Sequence, residues 1–135
     1  MSNETEEGVM INVIELELYE PLLDEKVLKR LIKDTDIETV ELAIDSYLKE
    51  SMTRLERIHL AFGNNDIDTL ELELHTLGNI ALTFGNKRLA RIVMDTENCL
   101  RIENNLEAQK RLRALPSVAQ KSFNTLIQMR CNNFI

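Results

Sequence analysis

Four stretches of this chain space their apolar residues three and four positions apart, and the first three are each closed by a glycine or asparagine turn. That spacing lays one apolar stripe along a helix, whereas a half-buried strand needs strict alternation. The first stripe uses Ile37, Val40, Ile44, Leu48, Ser51, Leu55, Ile58 and Phe62, with Asp36 before it as a cap. Gly63-Asn64-Asn65 ends it with residues that accept left-handed geometry. The second begins at Asp66 and runs through Ile67, Leu70, Leu74, Leu77, Ala81 and Phe84 to Gly85-Asn86. A third follows from Lys87 to Ile102 on Leu89, Val93, Thr96 and Leu100, and Glu103-Asn104-Asn105 turns the chain again. The fourth covers Leu106 to Cys131 through Leu112, Leu115, Ala119, Phe123, Leu126 and Met129, with Pro116 inside it, where a kink or restart is expected.

Short turns between long helices make neighbours antiparallel. The expected fold is therefore all-α, an antiparallel up-down four-helix bundle over residues 21–135. A short additional N-terminal helix, residues 24–33 with Asp24 as its cap, should lie across one end. Four glycines and two prolines in 135 residues agree with long helices and few tight turns. Residues 1–20 form an arm: the polar stretch Ser2 to Gly8 has nothing to bury and should be disordered. Val9 to Tyr19 alternates like a strand over its second half and also tolerates a short helix, so its type stays open.

Charge narrows the partners. With 16 Lys and Arg against 23 Asp and Glu, the net charge of −7 repels nucleic acid and anionic membrane over most of the surface. Apolar runs reach only three residues, as in Leu60 to Phe62, where a membrane span needs about 20, so a cytoplasmic protein is expected. Cys99 and Cys131 form no Cys-x-x-Cys pair and are expected as reduced thiols. No zinc-type spacing, glycine-rich phosphate loop or Gly-x-Ser-x-Gly elbow occurs, so neither a metal nor a cofactor is expected.

The two histidines remain. At 100° per residue His59 lies about 70° from the centre of its helix's apolar stripe, the position of a half-buried structural histidine. His75 lies about 130° from its stripe and points to solvent. Leu72 and Leu82 share that exposed side, and Gly78 sits on it as a side-chain-free gap, at a cost of about 1 kcal/mol relative to Ala. Taken alone, this is either an ordinary surface or a flat apolar patch that another protein could approach closely.

The run His75-Thr76-Leu77-Gly78-Asn79-Ile80-Ala81-Leu82-Thr83-Phe84-Gly85-Asn86-Lys87-Arg88-Leu89 resembles the histidine phosphotransfer (Hpt) domain signature. That signature reads His-x-Leu-Lys-Gly, then small residues, then Gly ten positions after the His and Leu four later. The resemblance extends over residues 22–130. It implies a helical bundle that accepts a phosphoryl group on the exposed His75 from a receiver-domain aspartate and passes it to another receiver. The implied partners are the receiver domains of a hybrid sensor kinase and a response regulator, and the carrier is expected as a monomer. It would be a phosphocarrier and not an enzyme, since nothing in the chain binds ATP for autophosphorylation.

Two positions depart from the family pattern. Gly78 stands where the family has a lysine, and Asn79 where it has a glycine. The resemblance implies that the lysine helps neutralise the phosphoryl group, so transfer here would be slower or restricted to a partner that supplies charge. Asn79, one turn from His75, could donate an amide hydrogen bond to the phosphoryl group or could simply be solvated. Glu97 stands where the family often has Glu or Gln. If the second and third long helices turn about Asn86, positions 75 and 97 face one another, and Glu97 could orient the imidazole; a solvated carboxylate is the other reading. An imidazole with the ordinary pKa of about 6.5 is mostly neutral at cytoplasmic pH and can attack phosphorus. The alternative function is a non-catalytic Hpt-like bundle that binds or sequesters a response regulator, with Leu72, Gly78, Asn79 and Leu82 as the contact surface in either case.

Overall fold

A computed structural model describes residues 20–134, and the expectations for residues 1–19 lie outside that range. Five helices follow one another: α1 (Glu25–Asp34), α2 (Ile37–Gly63), α3 (Ile67–Thr83), α4 (Lys87–Arg101) and α5 (Asn105–Cys131). Asp24 caps α1 by accepting from the Lys26 amide, Asp36 caps α2 through Thr39, and Asp66 caps α3 through Thr69. These side chains satisfy amides that the first turn leaves without partners.

One device makes all three turns between the long helices. Asn65, Gly85 and Glu103 adopt positive φ, and the next residue donates its amide back to the helix just finished. Asp66 bonds the Ala61 carbonyl at 2.8 Å, Asn86 that of Ala81 at 3.0 Å and Asn104 that of Cys99 at 2.8 Å. The residue that closes one helix therefore begins the next, and the chain reverses without a loop. Gly85 has no substitute, because its φ is +81° and a Cβ there would lie 2.7 Å from the Asp24 carbonyl oxygen.

Consecutive long helices pack along their lengths, with α3 and α4 in closest association, while α2 and α5 touch sparingly. The four-helix bundle is thus as expected, with α1 at the end where α3 turns into α4. There the Asp24 amide donates to the Gly85 carbonyl at 2.7 Å and Lys87 pairs with Asp24 at 3.0 Å. Leu28, Ile44, Leu70, Leu74, Leu77, Leu89, Val93 and Leu126 are fully excluded from solvent. On α2 the buried arc is displaced from the expected stripe: Tyr47 and Ala61 are buried, whereas Ile37 and Phe62 are exposed. Pro116 starts no new helix; α5 continues across it, with the ring on the exposed side. Among the described residues no helix is long and apolar enough to cross a membrane. Neither Cys99, which is buried, nor Cys131, which is exposed, forms a disulfide.

A buried amide organises the α3–α4 end. Asn86, fully buried, accepts from the Tyr47 hydroxyl at 2.7 Å and donates to the carbonyls of Leu22 at 3.0 Å and Ser122 at 3.1 Å. Its side chain consequently does not cap α4. Tyr47 stacks on Phe84 and meets Phe123 edge-on. Burial raises the Tyr47 phenol above its ordinary pKa, so it stays a neutral donor.

Candidate functional site

α3 packs against α2 on one side and α4 on the other, so only a narrow strip of it reaches solvent. His75 lies on that strip with its side chain 60% exposed, between the buried Leu74 and Leu77. Its Nδ1 is 3.3 Å from Oε1 of Glu97 on α4, the long end of hydrogen-bonding distance. An ionised carboxylate can only accept, so this contact calls for the proton on Nδ1, and in a neutral ring the lone pair then belongs to Nε2. The facing of positions 75 and 97 across the Asn86 turn is thereby realised in side chains.

Glu97 is itself held. It is only 13% exposed, and its second oxygen accepts from Arg101 Nη2 at 3.0 Å, one turn further along α4. Arg101 was not singled out by the sequence reasoning, although its i,i+4 spacing from Glu97 is the usual signal of such a pair. Its exposure of 62% keeps the pair weak as a stabiliser of the fold.

Around His75 the exposed surface contains Leu72, 62% exposed, Leu82, 42% exposed, and Asn79. The Asn79 carbonyl accepts from the Thr83 hydroxyl at 3.1 Å, and its side chain stands at the surface one turn from the imidazole. Gly78 does not form the expected open gap. It is buried, and a Cβ there would meet Met94 Cγ at 3.1 Å and Val93 Cγ2 at 3.2 Å. The physical reason is that α4 fits into the space a side chain would fill, so the glycine serves close helix packing. Met94, itself 44% exposed, covers the backbone where a lysine would otherwise project.

His59 also departs from expectation: it is exposed rather than half-buried. It lines a groove of about 540 Å³ between α2 and α5, together with Met52, Leu55, Phe62, Leu115, Pro116 and Phe123. The loose packing of those two helices leaves the ring uncovered. No carboxylate bond to His59 comparable to that of His75 is formed among the described residues. Among those residues no group of three or more His, Cys, Asp or Glu is placed to hold a metal ion.

Comparison with known proteins matches residues 43–129 to the Hpt domain family. No match is found among curated proteins. Among solved structures, the chain is similar to histidine-containing phosphotransfer protein B from Pseudomonas aeruginosa PAO1, with a TM-score of 0.76 over 83% of this chain and 96% of that one. The identity is 20%, so this likeness carries the fold.

Proposed function

The chain belongs to the Hpt domain family, and from that premise we propose that His75 carries a phosphoryl group between receiver domains in a two-component relay. By family it is a phosphocarrier rather than a kinase, and Hpt domains generally interact with receiver domains. The observation that carries the assignment to His75 is its contact with Glu97: an exposed imidazole, held through Nδ1, offers Nε2 to a partner protein.

The step follows from that geometry. The Nε2 lone pair attacks phosphorus of the receiver's aspartyl phosphate, an N–P bond forms, and the bond from phosphorus to the aspartyl oxygen breaks to release the carboxylate. The proton on Nδ1 stays in place, so the phosphorylated ring is cationic and Glu97 faces its charge. Attack by a second receiver's aspartate carboxylate on that phosphorus forms the new O–P bond, breaks the N–P bond and returns its electron pair to Nε2, which restores the neutral imidazole. Exposure of the ring is a requirement, because the reacting partner must bring phosphorus within about 3–3.5 Å. Leu72, Met94 and Leu82 supply apolar surface for that approach, and Asn79 stands within one turn as an amide donor.

A second reading, binding or sequestering a receiver without transfer, is favoured by one observation. The motif lysine is absent, and Met94 covers the backbone at its position. Incubation with a receiver domain carrying labelled phosphate separates the two: acid-labile label on His75 is expected for a carrier. A stable complex that never becomes labelled supports sequestration.

A further inference from the structure

We propose that Arg101 is a positioning residue for the reactive histidine, acting through Glu97; the inference rests on the assignment of phosphotransfer to His75. Three side chains form a line across the α3–α4 surface. His75 Nδ1 meets Glu97 Oε1 at 3.3 Å, and Glu97 Oε2 meets Arg101 Nη2 at 3.0 Å. The two carboxylate oxygens thus have different duties.

A glutamate bound at one oxygen only is poorly oriented, because its terminal torsion is broad. The 3.3 Å contact to His75 is too long to fix it unaided. The guanidinium bond to the other oxygen sets the plane of the carboxylate and so the direction in which Oε1 faces Nδ1. Local structure favours this bond. Glu97 precedes Arg101 by four positions, the better order for such a pair, and Arg101 is the final residue of α4, where the helix dipole attracts a cation.

Arg101 also offsets charge. A phosphoryl group arriving at Nε2 brings negative charge towards Glu97, and Gly78 supplies none of the positive charge a lysine would. With Arg101 attached, Glu97 faces the imidazole as half of an ion pair rather than as an unpaired anion. Its exposure does not weaken this role, since positioning asks for direction, not for a large contribution to folding.

The test uses the whole chain with ¹⁵N-labelled histidine, because ring nitrogen shifts report which nitrogen carries the proton. In the wild-type chain the Nδ1–H tautomer of His75 should predominate. Arg101→Ala should move His75 towards a mixture of tautomers and slow label uptake from a phosphorylated receiver by about three- to tenfold, less than losing a buried partner of a ligating histidine costs. Arg101→Lys, which keeps the charge but not the planar fork, should recover part of both changes. An Arg101→Ala chain with wild-type tautomer populations overturns the proposal, including when the rate falls, since a rate loss alone would signify a merely structural role. The tautomer measurement needs no phosphodonor. Failure of the wild-type chain to take up label therefore counts against the phosphotransfer reading and leaves the Arg101 result to stand or fall separately.

Discussion

His75 and Glu97 lie 22 positions apart, equidistant from Asn86, and their side chains meet across the α3–α4 turn at 3.3 Å. Both helices leave the same turn, so the contact lies within one antiparallel hairpin.

Replacing His75 by Gln or Ala should abolish acid-labile phosphate uptake from a phosphorylated receiver. Because the side chain is exposed, stability should change by no more than about 0.5 kcal/mol. His59→Gln should retain uptake, although that ring is exposed too. Label persisting in the His75 variants, followed by gel and phosphoamino-acid analysis, would sink the assignment.

Replacing Leu72 and Leu82 together by Ser should weaken receiver binding by about tenfold or more, as loss of anchoring apolar contacts does. Unfolding should shift by about 1 kcal/mol at most, mainly from helix propensity, since both leucines are exposed. Calorimetric titration with a receiver measures the first effect and thermal unfolding the second. Equal affinity in the double variant would remove these leucines from the docking surface.

The two glycines at opposite settings give a paired test. Gly63 has nothing within 4 Å of where a Cβ would be, so Gly63→Ala should be neutral or stabilise by up to about 1 kcal/mol. Gly78→Ala gains the same helix propensity but presses on Met94 and on the fully buried Val93. Met94 can move aside and Val93 cannot, so a net loss of about 1 kcal/mol is expected. Gly78→Lys should lose at least as much, and Met94→Ala in the same chain should recover part of it. Urea unfolding of the single and double variants decides; a stabilised Gly78→Ala would mean that α4 yields more easily than its packing implies.

Acid should destabilise the bundle through named carboxylates. The Arg111 hydrogen bond holds Glu107 below its ordinary 4.5, and the Lys87 hydrogen bond holds Asp24 below 3.8. A folded-state pKa below the unfolded value gives stability that is present above the unfolded value and lost as pH falls through the folded one. The melting temperature should therefore fall with pH below about 5. Glu107→Gln should lower it at neutral pH and flatten part of the acid limb. An unchanged acid limb in that variant would assign the effect elsewhere.

Helix number and order could be read from the chain because each stripe reports its own helix's contact with the core. The His75–Glu97 pairing could be read because an antiparallel pair mirrors its sequence about the turn. The errors share a cause in how many neighbours a helix has. A single stripe describes burial on one side, but α3 is covered by both α2 and α4, and so Glu73 and Gly78 are buried beyond the stripe's edge. α2 shows the opposite case at His59, where sparse contact with α5 leaves open a position that the stripe places at its margin. Asn86 read as a turn residue only; that its amide would bond α2, α5 and the segment before α1 depends on partners up to 64 positions away. Arg101 stands four positions after Glu97, the spacing of a common surface pair, and that spacing does not say that the carboxylate would divide its two oxygens between Arg101 and His75.

The Asn86 amide has a consequence for the distant ring. At a rise of about 1.5 Å per residue, His75 lies some 16 Å along α3 from that turn, yet the turn sets the phase of both helices. Removing one residue of α4 between Asn86 and Glu97 would turn Glu97 by about 100° about the helix axis and swing it away from the imidazole with the turn itself intact. The alignment of the His75 ring with Glu97 is in effect gauged at the far end of the hairpin, by a side chain that touches neither of them.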